Sequence, residues 1–146
     1  MMHPGLRLLA PLDRIVRCCA RDTVLPHGGG ADGSQPVLIQ SGTLIDIRTN
    51  VLHRDQVFWG PDAEKFVPDC WLDKDLRPKW EFLPFGGGGR NCPAQQMVLA
   101  QYAFILANFA RRFEVIENRD EVWEFVDVYN FSKRSARGVL VAFHGT

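Results

Sequence analysis

The chain has no surplus of either charge: lysine and arginine together number 17, as do aspartate and glutamate, in 146 residues. The balance makes no electrostatic case for nucleic acid or an anionic membrane surface as a partner. Also missing are cysteines at CxxC spacing and a histidine at zinc-ligand spacing from Cys18, Cys19, Cys70 or Cys92, which argues against a zinc site. No opening segment reads as a signal peptide and two of the cysteines are adjacent, so a reducing compartment is the simpler expectation. No apolar run is long enough to span a bilayer, the longest, Met97 to Phe109, being interrupted by Gln101 and Asn108. The glycine-rich run lacks the Lys-Ser or Lys-Thr pair of a phosphate-cradling loop. What is there suits one folded domain, since 46% of the residues are apolar and 23% charged, too few charges for a disordered chain.

Along the chain, Gly5 to Leu9 reads as the end of a helix stopped by Pro11. Between Ile15 and Ile47, glycine clusters at Gly28-Gly29-Gly30 and Gly33 separate the β-favouring runs Thr23-Val24-Leu25, Val37-Leu38-Ile39 and Leu44 to Ile47, which predicts hairpins. Asn50 to Val57 is expected to be a short helix. Trp59 to Glu81, with Pro61, Pro68, Pro78, Trp71 and Trp80, reads as coil held by aromatic packing. The strongest helix is predicted from Pro93 to Arg111 or Arg112, with proline in the first turn and arginines complementing the dipole at the last. Its apolar residues, including Met97, Leu99, Phe104 and Leu106, cover more than one face and predict substantial burial. Phe113 to Ile116 and Val139 to Phe143 read as two strands either side of the polar stretch Glu117 to Arg137.

The chemistry concentrates in Phe85-Gly86-Gly87-Gly88-Gly89-Arg90-Asn91-Cys92-Pro93-Ala94. Glycines let the backbone adopt conformations closed to other residues and approach a flat ligand closely. A cysteine at a helix N-terminus is stabilised as an anion by the dipole and free N–H groups, and Arg90 adds a cation. A lone cysteine is usually a small buried hydrophobe, but these neighbours make Cys92 an iron-ligand candidate.

The spacing resembles the haem-binding signature of cytochromes P450, FxxGxRxCxG, with Phe85, Gly88, Arg90 and Cys92 in register and Ala94 at the final glycine. Leu6-Arg7-Leu8 with Ala10-Pro11 resembles the end of the ExxR helix and its exit. Asp22 to Pro26 with the following glycines, His53-Arg54-Asp55, Trp59 to Ala63 and Phe66 to Trp71 resemble the β-region and the run into the meander. The likeness is greatest to fungal alkane- and fatty-acid-hydroxylating members. It implies an α+β chain, residues 1–146, forming the C-terminal part of the mainly-α P450 fold: end of the ExxR helix, β hairpins, meander, cysteine loop, long helix and tail strands.

The resemblance further implies haem b with Cys92 as axial ligand and catalytic residue, its thiolate donating electrons that favour O–O cleavage. Arg90 would bind a propionate, Phe85 would shield the sulfur, and Gly88 and Ala94 would leave room for the porphyrin. Arg17 matches a second propionate-binding arginine, against the alternative of an exposed strand cation. Leu12 to Val16 would line the distal pocket, with the tail tip near Tyr129 to Ser132 facing substrate. The reaction implied is insertion of one atom of O2 into an apolar substrate such as a fatty acid or alkane, with electrons from NADPH through NADPH-cytochrome P450 reductase. A full-length member would sit on the cytosolic face of the endoplasmic reticulum membrane, and this chain would be soluble or cytoplasmic.

Pro4 stands where the ExxR glutamate falls, and Cys70 where the arginine of the PERF or PERW element falls. A buried Arg7 without partners would be costly, so Arg7 is expected to reach solvent or a carboxylate such as Asp69. In the family the oxygen-activating helix, distal wall and membrane anchor precede Arg7. The chain is therefore expected to be a truncated copy or an incomplete gene model, inactive alone as an oxygenase. The alternatives are a non-catalytic fragment or small haem-binding module and, less favoured for want of a resolving cysteine, a redox-reactive thiol protein.

Overall fold

The computed structural model describes residues 2–122, 125–129 and 132–145, with the side chain of Tyr129 excepted. Two compact units are formed, Arg14–Arg48 and Met1–Asp13 with Thr49–Thr146.

The Arg14–Arg48 unit is two antiparallel ladders, as the glycine punctuation predicts. Strand β1 (Arg14–Cys18) pairs with β4 (Leu44–Arg48), and β2 (Thr23–Gly29) pairs with β3 (Gln35–Ile39) between them in sequence. In the first ladder Ile15 and Arg17 on β1, and Ile45 and Ile47 on β4, are half-buried while their neighbours are exposed, the two-residue period of a sheet with one shielded face. Arg14 lies opposite Arg48, a like-charge pair that would repel. Asp46 offsets this by lying 3.7 Å from Arg14 and 3.1 Å from Arg48.

The second unit is built around helix α1 (Met2–Leu8), whose Pro4, Leu6, Arg7 and Leu8 are buried, together with Ala10 and Ala63. The helix expected over 50–57 is two short ones, α2 (Thr49–Leu52) and α3 (Gln56–Trp59). Asp55 divides them: its carboxylate accepts the Val57 N–H at 2.9 Å, a cap that begins a new helix rather than continuing the old one. The stretch from Trp59 to Glu81 is held by aromatic packing, as expected, with one 3-10 helix at Pro68–Leu72. Trp71 stacks on His3 at 5.0 Å and meets Trp59 at 5.7 Å and Phe82 at 5.0 Å, whereas Trp80 stays outside that cluster, 66% exposed.

Helix α4 spans Gln95–Arg112, two residues shorter at its start than expected, because Pro93 and Ala94 form the turn before it. None of its residues is buried, which corrects the expectation of substantial burial. Its apolar residues cover several faces, but it packs on α1 and on strand β5 (Phe113–Asn118), so Phe104 remains 71% and Met97 58% exposed. The tail holds more strand than expected. Strand β5 pairs with β8 (Val141–Gly145), and the polar stretch between them contains a second ladder, β6 (Asp127–Tyr129) with β7 (Lys133–Ser135). Lys133 ties that ladder to the segment that follows α1, its Nζ 2.8 Å from Asp13 and 3.1 Å from Asp127. Part of the predicted substrate-facing tip, Asn130 and Phe131, lies outside the described residues.

Candidate functional site

The cysteine loop is shaped by its backbone. The Gly86 N–H donates to the Leu83 carbonyl at 3.1 Å, a tight turn in which Gly86 takes φ +79°. Gly87 is extended and passes against Trp80, where a Cβ would come within 2.6 Å of ring atom Cζ3. Gly88, at φ +71°, a left-handed conformation that glycine adopts without strain, begins a 3-10 turn through Arg90 that closes with the Asn91 N–H on the Gly88 carbonyl at 3.2 Å. The chain then returns, and the Cys92 N–H donates to the Phe85 carbonyl at 2.8 Å. Phe85 and Cys92 are thus joined through their main chains, and the loop between them is a closed ring.

Cys92 is a free, half-exposed thiol, placed just before Ala94, the N-cap of α4. Ala94 has φ −88° and ψ 6°, conformations open to any residue, which is why alanine can replace glycine at that place. Arg90 is exposed, and among the described residues its guanidinium makes no hydrogen bond or ion pair. Phe85 is half-buried and shares with Phe82, Gln95 and Leu99 the wall of a cavity of about 110 Å3. A Cβ built at Gly88 or Gly89 meets nothing within 4 Å, so a flat group can approach the backbone there. A single thiol donor, an adjacent uncommitted cation and an open glycine face are residues that fit a haem. Arg17 lies in the other unit, on β1, half-buried, with its Nη1 donating to the Val16 carbonyl at 2.9 Å.

The loop's anchor is a residue whose role the sequence does not announce. His53 is fully buried, and its two ring nitrogens bridge separate segments: Nδ1 lies 3.1 Å from the Arg7 carbonyl, and Nε2 accepts the Leu83 N–H at 2.8 Å. Leu83 is where the loop begins. Burial, reinforced by the Arg54 and Arg7 cations, lowers the imidazole pKa to about 4 despite its bond to the Arg7 carbonyl, so the ring is neutral. The neutral form fits the geometry, with Nδ1–H donating and Nε2 accepting.

Arg7 corrects an expectation. It reaches neither solvent nor Asp69 but is 3% exposed, its Nη1 donating to the carbonyls of His53 and Ala63 and its Nη2 to that of Lys65 at 3.0 Å. Its guanidinium carbon lies 5.1 Å from the centre of the Trp59 ring. Main-chain carbonyls and a π face stand in for the two missing charged partners.

The cytochrome P450 family model matches residues 2–137. The chain is 46% identical over 127 residues to the cytochrome P450 monooxygenase apdE of Emericella nidulans, covering 87% of this chain and 24% of that protein. It is 41% identical over 142 residues to the cytochrome P450 monooxygenase alt2 of Alternaria solani, covering 97% and 26%. To cytochrome P450 52A10 of Candida maltosa it is 38% identical over 118 residues, covering 80% and 23%. The chain belongs to the cytochrome P450 family, and its mixed helices and strands are a C-terminal part of that fold. It spans about a quarter of the length of these relatives. No helix among the described residues is long and apolar enough to cross a membrane.

Proposed function

We propose that the loop from Phe85 to Ala94 is a proximal haem site with Cys92 as the axial thiolate. The observation that carries this reading is the free Cys92 thiol at the mouth of a ring closed by the Phe85 carbonyl, with Arg90 close by in sequence and without a partner among the described residues. Bound there, haem supplies the O2-activating chemistry of the family. The chain's own residues would do the rest: Cys92 would hold the iron, Arg90 would pair with a propionate, and Phe85 would keep water from the sulfur. Gly88 and Ala94 keep the approach clear, and Arg17 carries its propionate assignment on the resemblance alone. A fatty acid or alkane substrate, NADPH delivered through a reductase, and residence on the endoplasmic reticulum membrane extend the reading to the longer proteins that the chain resembles.

The test is to express the chain with haem supplied and record the carbonyl difference spectrum after reduction. A thiolate-type Soret shift, lost in Cys92→Ser, is expected, and its absence from the unmodified chain overturns the assignment. A second reading, a haem-binding module without turnover, is favoured by Pro4 and Cys70, which leave out two of the three charges that the resemblance places around Arg7. Hydroxylation of a fatty acid or alkane with a reductase supplied, absent from Cys92→Ser, would exclude that second reading.

A further inference from the structure

Helix α4 carries a stripe of large apolar residues that the rest of the described chain covers at one end. Leu99, Tyr102, Leu106, Phe109 and, just past the helix, Phe113 are spaced by three and four residues in turn, the repeat that lines one side of a helix for another helix to pack along. The stripe starts under cover, since Gln95, Val98 and Leu99 are half-buried, and Gln95 and Leu99 share a cavity wall with His3 of α1. Beyond Leu99 the cover ends: Tyr102 is 49% exposed, Leu106 43%, Phe109 36% and the flanking Ile105 51%. The same surface runs on into the tail ladder, where the Phe143 ring lies 5.3 Å from that of Phe109 and 4.7 Å from that of Phe113. Ile116 stands opposite Phe143 in the ladder, and these two are 51% and 44% exposed.

At about 200 Å2 for a large side chain in the open, those exposures leave roughly 550 Å2 of mostly apolar surface in one patch, the upper end of what soluble monomers leave uncovered. Two such patches brought together would bury about 1,100 Å2, just past the ~1,000 Å2 that a specific interface needs and well short of an obligate one. Charge selects what can lie there. From Gln95 to Ala110 the helix has no charged residue, so the face meets no repulsion from its own copy. Arg111 and Arg112 close the helix. A parallel pair would gather the arginines of both copies and align the two macrodipoles, whereas an antiparallel pair holds the arginines at opposite ends and sets the dipoles head to tail.

We infer that two copies of this chain associate through α4, antiparallel and related by a two-fold axis that passes between Ile105 and Leu106. In that register Tyr102 of one copy meets Phe109 of the other and Ile105 meets Leu106, each contact occurring twice, with Phe143 and Ile116 at the rim. An interface of this size makes a reversible dimer, populated as the concentration rises.

Sedimentation equilibrium of the chain over a wide range of concentration reads the association directly. The average mass should climb from 16.5 kDa to twice that value and stop there. Leu106→Glu places two carboxylates at the axis and should stay at the monomer mass where the parent is dimeric. Phe104→Glu, on the other side of the helix, should dimerise like the parent. A parent at the monomer mass throughout, a mass that passes two copies without a plateau, or a Phe104→Glu variant as impaired as Leu106→Glu overturns the proposal. So does a monomeric parent that floats with phosphatidylcholine vesicles, which would give the face to a lipid surface instead. Should Leu106→Glu not fold, hydrogen exchange of the parent decides: the amides of Ala103 to Leu106, labile in the monomer, should slow as the concentration rises while that of Leu83 keeps its rate. Helix rates that do not change with concentration overturn the proposal.

Discussion

Lowering the pH from 7 to 5 should destabilise this chain through one residue, His53. The folded protein holds the ring neutral with a pKa of about 4, while unfolding restores the ordinary histidine value of 6.5. Between those values the unfolded chain binds a proton that the folded chain refuses, so stability is present in full above about 6.5 and falls as the pH drops toward 4. The whole shift corresponds to roughly 3 kcal/mol, of which about 2 kcal/mol is lost between pH 7 and 5. Structurally, protonation turns Nε2 from acceptor to donor against the Leu83 N–H, so the bond that fixes the start of the cysteine loop cannot survive. Urea unfolding of the parent and of His53→Gln at both pH values isolates the effect, because the carboxylates that titrate in the same range are common to both proteins. The parent should lose about 2 kcal/mol more than the variant over that interval. Equal losses, or an imidazole that titrates near 6.5 by NMR in the folded chain, would refute the reasoning.

Two glycine substitutions in the loop should cost stability for different reasons, and tryptophan fluorescence separates them. In Gly87→Ala the new methyl meets the Trp80 ring at 2.6 Å and Leu83 at 3.2 Å, but that ring is exposed enough to swing aside, so a loss of roughly 1 kcal/mol with a changed Trp80 environment is expected. In Gly88→Ala nothing obstructs the methyl, yet φ +71° must be held by an L-residue, so a loss of about 1–2 kcal/mol should come with unchanged fluorescence. A Gly88→Ala protein as stable as the parent would contradict the left-handed geometry.

The cysteine loop was legible because its residue types are demanded by local geometry: positive φ at Gly86 and Gly88, a thiol just before a helix, a cation beside it. The β ladders were legible for a similar reason, since glycine clusters punctuate runs with β propensity. What escaped was long-range. His53 reads in sequence as a polar residue in a charged triplet, and nothing local says that it will bridge Arg7 to Leu83, 30 residues away. The fate of Arg7 was misjudged because carboxylate partners were sought in the sequence, whereas its acceptors are main-chain carbonyls, which every residue carries. The burial of α4 was misjudged because periodicity reports which face seeks a partner, not whether one is present. Gln95, Val98 and Leu99 near its start are half-buried, but from Ala100 to Arg112 every residue is exposed.

That exposure bears on what holds the cysteine loop in place, and amide exchange can decide it. An 18-residue helix that is covered only near its start is held weakly beyond it, since most helical stability in proteins comes from packing of an apolar face. If α4 positioned Cys92, the loop would be as labile as the helix. The hydrogen bonds instead tie the loop backward: Cys92 N–H to the Phe85 carbonyl, Leu83 N–H to His53, and His53 to the carbonyl of Arg7 in the most buried part of the chain. The Leu83 and Cys92 amides should therefore exchange more slowly than those of Ala103 to Leu106 in the middle of α4. In His53→Gln the first two should speed up while the helix amides keep their rates. Helix amides slower than that of Leu83, or a His53 variant that accelerates both sets alike, would instead place the loop's support in α4.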